Sequence, residues 1–420
     1  MCSDNAATKI MMRGKKVRLL PTPRQEELFW KSAGTARWAH NYYLGRQEET
    51  YQAYLKNGKT VPRYITEGDI RKEINNHLKP TTHTWLKEVG SNVMKQAVKS
   101  ADKALKKFLR GMSGRPKYKS KHRSKPSFYV NYESLRRRNG GFHGEKIGFV
   151  RTSEPLPRLP KGHHYSNPWI SFDGKYWYLS VCYEVTSCKN HDLSGDTIGI
   201  DLGLKRLAVC YASGERKVTT VKNINKTREV CRLEKKLKRE QRRHSRKLQA
   251  NIARYMPVQR KGKQVGQKPV WKRPLAECRN LERQRRKIVL LCRRLTNIRD
   301  NHIHQATNAI VKTKPSRIVI EDLNVKGMMR NKYLAKEIAA EKFYTFRQQL
   351  SYKAERYGIQ IVLADRFYPS SRICSQCGHL KKDLTLKTRT FVCPSCGQVI
   401  DRDLNAAINL AYYHQSERAS

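Results

Sequence analysis

Four cysteines and three carboxylates are the residues of this chain whose types and spacing suit chemistry. Cys374 and Cys377 form one CxxC pair, Cys393 and Cys396 a second, with fifteen residues between the pairs. Gly378 and Gly397 follow the second cysteine of each pair, so each pair sits on a tight turn. Four thiolates so placed can converge on one tetrahedral Zn²⁺ at Zn–S distances of about 2.3 Å. Four sulfur ligands leave no open coordination position, so this zinc is structural and the chemistry lies elsewhere. Two disulfides are the alternative, and they require an oxidising compartment.

The carboxylates stand out by position. Asp201 ends the apolar run Ile198-Gly199-Ile200, and Glu321 ends Ile318-Val319-Ile320. Asp403 follows the last cysteine by seven residues and stands near the start of a helical stretch. A carboxylate at the end of an apolar strand costs solvation energy unless something compensates it. Neighbouring strand ends would bring Asp201 and Glu321 together, and a helix beginning beside them would add Asp403. Three such groups repel and raise one another's pKa. Mg²⁺ relieves that repulsion, being a hard cation held by carboxylates plus substrate phosphate. The expectation is two-metal phosphodiester hydrolysis, with Asp201 bridging two Mg²⁺ ions and Glu321 and Asp403 each holding one. The ions would sit roughly 3.5–4 Å apart. Asp322 and Asp401 compete for these roles, and in extended backbone only one of each pair faces the site. His302 falls on the apolar side of its helix and reads as a packed histidine, because metal-activated water needs no histidine base.

Charge names the partner class. The 420-residue chain carries 87 Lys+Arg against 35 Asp+Glu, a net charge of +52. That excess repels itself unless a polyanion neutralises it, and nucleic acid is the expected polyanion. A membrane surface fits less well, because the basic residues run through the whole length. The 11 cysteines are odd in number, and seven of them lie outside the ribbon without a pairing rhythm. No basic start with an apolar run opens the chain, and no stretch suits a membrane span. A reducing, intracellular setting follows as an expectation, with no membrane partner.

The elements that must position these groups are legible in outline. Residues 1–15 read as a loose start, and Lys16–Leu20 as a strand. Helices are expected over Gln25–Trp30, Ala33–Tyr51 and Asn92–Leu109. Gly114–Arg123 is a basic run around Tyr118, suited to phosphate contact and base stacking. Short alternating strands fill residues 127–186, with Asp173-Gly174 as a hairpin signal. They suggest a small β-barrel that takes up the strand at 16–20. Two buried strands, 197–201 and 207–211, come next, followed by long helices over 225–254 and 274–312. Val230, Leu233 and Leu237 face Leu281, Ile288, Leu291, Leu295 and Ile298 across a thin seam. The stretch 259–268 between the helices reads as a flexible polar loop. A strand at 317–321, a helix over 336–357, a strand at 359–364, the ribbon and a last helix over 403–413 complete the chain. The fold class expected is α/β multidomain, with a mixed sheet in the C-terminal part.

Ile200-Asp-Leu-Gly203, Ile320-Glu-Asp-Leu323, the paired CxxC motifs and Asp401-Arg-Asp-Leu-Asn-Ala-Ala407 resemble the three RuvC motifs and zinc ribbon of the TnpB family. TnpB proteins are transposon-encoded relatives of the compact type V CRISPR effectors. Ser32–Tyr42, Gly114-Arg-Pro-Lys-Tyr-Lys119 and Tyr368–Ser371 are also family-like, so the resemblance runs from about residue 16 to 413. It implies a WED-like β-barrel over residues 1–190, with a helical insertion at about 22–125 that recognises guide RNA and an adjacent motif. It further implies a RuvC-like, RNase H-type α/β domain over 191–420, with a helical hairpin at 225–312 and the zinc ribbon at about 370–400. The activity implied is an RNA-guided DNA endonuclease, Mg²⁺-dependent, whose partners are guide RNA and double-stranded target DNA. A monomer in a prokaryotic cytoplasm, associated with the nucleoid through nucleic acid, is expected. Ser91, Asn92, Lys95 and Gln96 are candidate DNA contacts by position, and an ordinary solvated helix face accounts for each equally well. Arg115, Lys117, Tyr118 and Lys119 are candidate nucleic-acid contacts from the basic run. Alternatives are an RNA-guided DNA-binding repressor that has lost cleavage and a transposase or transposase accessory protein. A non-cleaving binder would have lost the acidic trio, and here all three acids remain.

Overall fold

The computed structural model describes residues 9–121, 123–187, 192–260, 263–385 and 388–413. Most of the expected loose start, His122 of the basic run and residues 261–262 of the expected polar loop lie outside the described residues. The chain divides into two compact units, one over Ile10–Thr186 and one over the described residues from Ser187 onward. No helix among the described residues is long and apolar enough to cross a membrane.

The first unit begins with β1 (Lys9–Leu20) and α1 (Pro23–Lys56). Thr22 caps α1 with a reciprocal box, its Oγ1 accepting from the Gln25 amide while the Gln25 side chain accepts from the Thr22 amide. The sequence suggests two helices here, but α1 is continuous. Gly34 and Gly45 are its weakest positions, and each glycine inside a helix costs only about 1 kcal/mol. The helices α2 (Glu67–Glu73) and α3 (Ser91–Leu109) follow, and α3 turns Val93, Met94, Ala97, Val98 and Ala101 into the core.

Six short strands complete the unit: β2 (Ser127–Tyr129), β3 (Arg136–Arg138), β4 (Gly141–Gly144), β5 (Gly148–Thr152), β6 (Ser166–Phe172) and β7 (Trp177–Ser187). With β1 they form one seven-stranded sheet in the order β2-β6-β7-β1-β5-β4-β3. The strand at the N-terminus therefore does join the later strands, and the Asp173-Gly174 turn does connect β6 to β7. The expected closed barrel is not found, because among the described residues no ladder joins β2 to β3. Both end strands are three residues long, and β3 is Arg136-Arg137-Arg138, an edge whose charge opposes further pairing.

The second unit is built on β8 (Ser194–Leu202), β9 (Arg206–Ala212), β10 (Lys217–Lys222), β13 (Pro315–Glu321) and β14 (Gln360–Ala364), ordered β10-β9-β8-β13-β14. The β8–β13 and β13–β14 pairs are parallel and the others antiparallel, giving the expected mixed sheet. Between β10 and β13 run α4 (Arg228–Ala250), the strands β11 (Ile252–Arg260) and β12 (Lys263–Trp271), and α5 (Arg279–Lys312). Beyond β13 come α6 (Val325–Met328), α7 (Ala335–Glu341) and α8 (Phe343–Tyr357). After β14 follow β15 (Thr390–Val392), β16 (Val399–Asp401) and α9 (Arg402–Ala411).

One sheet face packs Ile198, Ile200, Ile318 and Ile320 against α5 and α8 through Ile303, Ile310, Phe346 and Leu350. The other face receives α9 on Val209, Tyr211, Val319 and Val362. The helical seam is present, with Val230, Leu233 and Leu237 meeting Leu291, Leu295 and Ile298. Both helices are shorter than expected: a β-hairpin occupies most of the stretch between them, β11 replaces the end of the first helix, and residues 272–278 form a turn before α5. The helix expected over 336–357 is broken at Lys342, which takes a left-handed φ of 54° and pairs its ammonium with Asp300.

Candidate metal centres

Strand register sets the carboxylate geometry. Val319 pairs with Gly199 and Ile320 with Ile200, so Asp201 and Glu321 leave their strands side by side. Strand alternation puts Gly199, Asp201, Val319 and Glu321 on one face, opposite the fully buried Ile200 and Ile320. That is the face α9 covers. A Cβ on Gly199 would stand 2.1 Å from the Ala407 carbonyl oxygen and 2.3 Å from the Ala411 nitrogen. The helix backbone thus rests directly on the strand where the strand has no side chain. Asp403, one turn before Ala407, is carried to the ends of β8 and β13. The signal for this seat was a lone glycine inside a strand pattern, which marks close backbone approach. Gly199→Ala is expected to destabilise the second unit by about 3 kcal/mol through overpacking against unyielding backbone. An unchanged urea midpoint in that variant would show that α9 does not depend on this seat.

The competing acids have other partners. Asp401 is the N-cap of α9, its Oδ1 accepting from the Asp403 and Leu404 amides at 3.0 and 3.2 Å. It also pairs with Arg206, whose guanidinium lies 3.9 Å from Asp403. Burial opposes ionisation of Asp401, but the amides and Arg206 outweigh it and hold its pKa below the usual carboxylate value. Asp322 is gripped by Arg366 and Arg347, which lower its pKa as well. Asp201 and Glu321 behave oppositely. Burial, then Glu321 and Asp403, push Asp201 well above its ordinary value. Burial also raises Glu321, against the Ser370 hydroxyl and Arg402 that favour its charge. The side chain of Asp403 is 14% exposed.

The trio is therefore close enough to interact electrostatically. It is drawn together less tightly than the cysteines, which are the group of potential ligands among the described residues whose donor atoms all lie within 4.8 Å of one another. Cys374 Sγ stands 3.6 Å from Cys396 Sγ, and Cys377 Sγ 3.6 Å from Cys393 Sγ. Those separations exclude disulfides, whose sulfurs are about 2.05 Å apart. They match the edge of about 3.7 Å of a tetrahedron with 2.3 Å Zn–S bonds. The two knuckles are built alike. The Gly378 amide donates to the Cys374 carbonyl and the Gly397 amide to that of Cys393, with φ of +75° and +72° that favour glycine. Amides of Cys396 and Ser395 hold the Cys393 thiol down to about 6. Cys396 is pushed up to about 12: the Gln398 amide favours its thiolate, but burial and the three facing sulfurs keep its proton in place. Sulfurs that share protons in this way fit a soft divalent cation that replaces those protons.

Sequence reasoning missed three residues that tie the two centres together. Ser370, 4% exposed, donates its hydroxyl to Glu321 Oε1 at 2.6 Å. Asn409 on α9 donates to the Ser370 and Ile373 carbonyls, each at 2.7 Å. Asn405, one turn earlier, donates to Ile373 and accepts from the Ser375 amide. Ser370 and Asn405 stand within the family-like stretches Tyr368–Ser371 and Asp401–Ala407, but the residues themselves did not announce these partners. His302, read from the sequence as a packed histidine, is half-buried, with its ring nitrogen 2.8 Å from the Lys222 carbonyl.

The candidate nucleic-acid contacts lie in the first unit. Ser91 and Lys95 are exposed and Asn92 and Gln96 half-buried, on the side of α3 away from Val93, Met94, Ala97 and Val98. The segment carrying Arg115, Lys117, Tyr118 and Lys119 is tied along α1. The Asn41 amide and the Lys119 backbone exchange two hydrogen bonds of 2.8 and 2.7 Å, and Arg115 pairs with Glu48. Lys117, Tyr118 and Lys119 remain exposed.

Family models match three stretches. They are described as a probable transposase of the OrfB_IS605 group over residues 180–332, a helix-turn-helix domain of the same group over 11–56, and a Cas12f1-like TNB domain over 343–410. In this structure residues 11–56 are a strand and one helix. A Streptomyces pristinaespiralis protein with the provisional name RNA-guided DNA endonuclease is 28% identical, over 95% of this chain and 88% of its own. InsQ of Escherichia coli K12, provisionally named likewise, is 27% identical over 94% and 90%. The solved Cas12f1–sgRNA–target DNA complex aligns with a TM-score of 0.51 at 14% identity, covering 96% of this chain and 99% of that one, and so shares its fold. With these matches laid over its strand-end acids and four-cysteine ribbon, the chain is similar throughout to OrfB/IS605 proteins and consistent with a TnpB-family protein.

Proposed function

We propose that this protein is an RNA-guided DNA endonuclease whose second unit is a RuvC-like nuclease domain with an inserted zinc ribbon. The observation that carries the reading is the convergence of Asp201, Glu321 and Asp403 on one face of the sheet, with Asp201 and Glu321 pushed toward protonation first by burial and then by neighbouring acids of the trio. Such oxygens fit Mg²⁺. Bound there, the ions supply Lewis acidity at a scissile phosphodiester. Asp201, whose ionisation both Glu321 and Asp403 oppose, would be the ligand shared between the ions, with Glu321 and Asp403 each holding one. Ser370 fixes the rotamer of Glu321, and Arg206 faces Asp403. Cys374, Cys377, Cys393 and Cys396 hold the single structural zinc.

In the first unit, the exposed side of α3 with Ser91, Asn92, Lys95 and Gln96 reads the short motif beside the target. The pinned segment with Arg115, Lys117, Tyr118 and Lys119 takes backbone phosphates and a stacked base. Guide pairing reads the sequence, and protein reads the adjacent motif, as in other RNA-guided systems. The protein works as a monomer.

The test is purification with co-expressed RNA, followed by cleavage of DNA plasmids in Mg²⁺. Cutting that follows a reprogrammed guide supports the reading. RNA bound without cutting in Mg²⁺ makes the protein a guide-directed binder, and strand joining would make it a transposase. Ser370→Ala is expected to raise the Mg²⁺ concentration for half-maximal cutting about tenfold, because a hydrogen bond to a charged group contributes about 1.5 kcal/mol or more. An unchanged Mg²⁺ dependence would leave Ser370 as a packing residue only.

A further inference from the structure

The hairpin β11–β12 is not used by the chemistry above, and it is unlike the rest of the second unit. Its strands pair only with each other among the described residues. It is rooted by Asn251, whose side chain donates to the Arg273 carbonyl at 2.9 Å and accepts from the Arg273 amide at 3.2 Å. The Lys272 amide bonds the Asn251 carbonyl at 2.8 Å. The ribbon is thus fixed to the end of α4, yet neither of its faces is covered. Tyr255, Met256 and Val258 are 54, 49 and 38% exposed. A two-stranded ribbon with bare faces is marginal in water by itself.

The charge of this segment is one-sided. Residues 251–273 contain seven Lys+Arg and no Asp or Glu. Arg254, Lys268, Lys272 and Arg273 are exposed. Register places Arg254 opposite Val270, Met256 opposite Lys268 and Val258 opposite Gly266, so both cations share a face with Met256 and Val258, while Tyr255 lies on the other. The approach along α4 is basic too, with Arg242, Arg246 and Lys247 exposed. A polyanion with a groove complements this shape.

We infer that the β11–β12 ribbon is an arm for double-stranded B-form DNA, seated in the major groove with Arg254, Lys268, Lys272 and Arg273 on phosphates. The major groove of B-DNA is about 12 Å wide and admits a two-stranded ribbon. The major groove of A-form RNA is too deep and narrow for side chains to read. Single strands call for several stacking aromatics, and the strand faces expose one, Tyr255. Contacts of this kind are independent of sequence. The inference rests on the nuclease reading for its biological use, and adds a DNA surface apart from the acidic cluster and from the first unit's candidates.

The test is fluorescence anisotropy of the full-length protein, with its co-purified RNA, on a short DNA duplex that has no guide match. The combined variant Arg254→Gln, Lys268→Gln, Lys272→Gln and Arg273→Gln should bind this duplex about tenfold or more weakly. Its log–log salt slope should be shallower by about 3 to 4, at about 0.9 per lost phosphate contact. A variant that exchanges Lys and Arg at these four positions should keep the slope. Equal affinity and slope in wild type and the Gln variant would overturn the inference, as would an equal loss on an RNA duplex or a loss of co-purified RNA. Duplex binding is read without cleavage, so a protein that never cuts leaves this result standing, and a failed arm leaves programmed cutting untouched.

Discussion

Asp201→Ala is expected to lower target cleavage by about a thousandfold or more while the protein still folds and still retains its RNA. The magnitude follows from the several kcal/mol that metal ions contribute at a developing phosphorane, each 1.36 kcal/mol being tenfold in rate. Folding survives because Asp201 is no stabilising charge in the metal-free protein. Its pKa is raised in the fold, first by burial and then by Glu321 and Asp403. The folded state therefore holds this proton more tightly than the unfolded chain does. The penalty is absent below the unfolded carboxylate pKa of about 4 and grows as pH rises toward the folded value. Asp201→Asn should accordingly melt higher than wild type at neutral pH without Mg²⁺. Added Mg²⁺ should raise the melting temperature of wild type and leave the Asn variant nearly unmoved. Retained cutting in the Ala variant, or equal Mg²⁺ shifts in both proteins, would remove Asp201 from the metal site.

Loss of the ribbon's metal should be the largest effect on structure. Apparent zinc binding energies in small finger peptides are about 10–16 kcal/mol, and in such sites they are folding energy. The ribbon's own core is little more than Phe391 with Leu384 and Ile400 around two buried cysteines, which is too small to hold without metal. Cys393→Ser is expected to release zinc, expose residues 370–400 to protease and abolish cutting. Cutting fails because Ile373 and Ser375 no longer anchor Asn405 and Asn409, and Ser370 loses its hold on Glu321. Full activity in protein shown by elemental analysis to be zinc-free would contradict this chain of contacts.

The acids and cysteines were legible because their signals are local. An acid at the end of an apolar strand and a CxxC beside a glycine can be read within a few residues. What escaped depended on distant partners. Gly199 was visible as a glycine within a strand, but that Ala407 and Ala411 would fill its space was not, because α9 lies two hundred residues on. Asp401 stood as a competitor to Asp403, and the helix start one residue before Asp403 makes Asp401 the cap. Residues 259–268 read as a loop because their polarity and glycines outweighed a period-two pattern that no buried face reinforces. The barrel stayed open because closure depends on edge strands, and three arginines at β3 give no local sign of which edge they will guard. Lys342 broke a well-patterned helix through a backbone conformation that its own sequence does not demand.

The seat of α9 on Gly199 also imposes an order on protein synthesis. When Asp201 leaves the ribosome, about two hundred residues remain to be added before Asp403 exists, and the strand bearing Glu321 must first cross over to lie beside its neighbour. No shorter translation product holds all three acids. If the three acids cut as proposed, a nascent chain stays harmless to the genome that encodes it until α9 has docked.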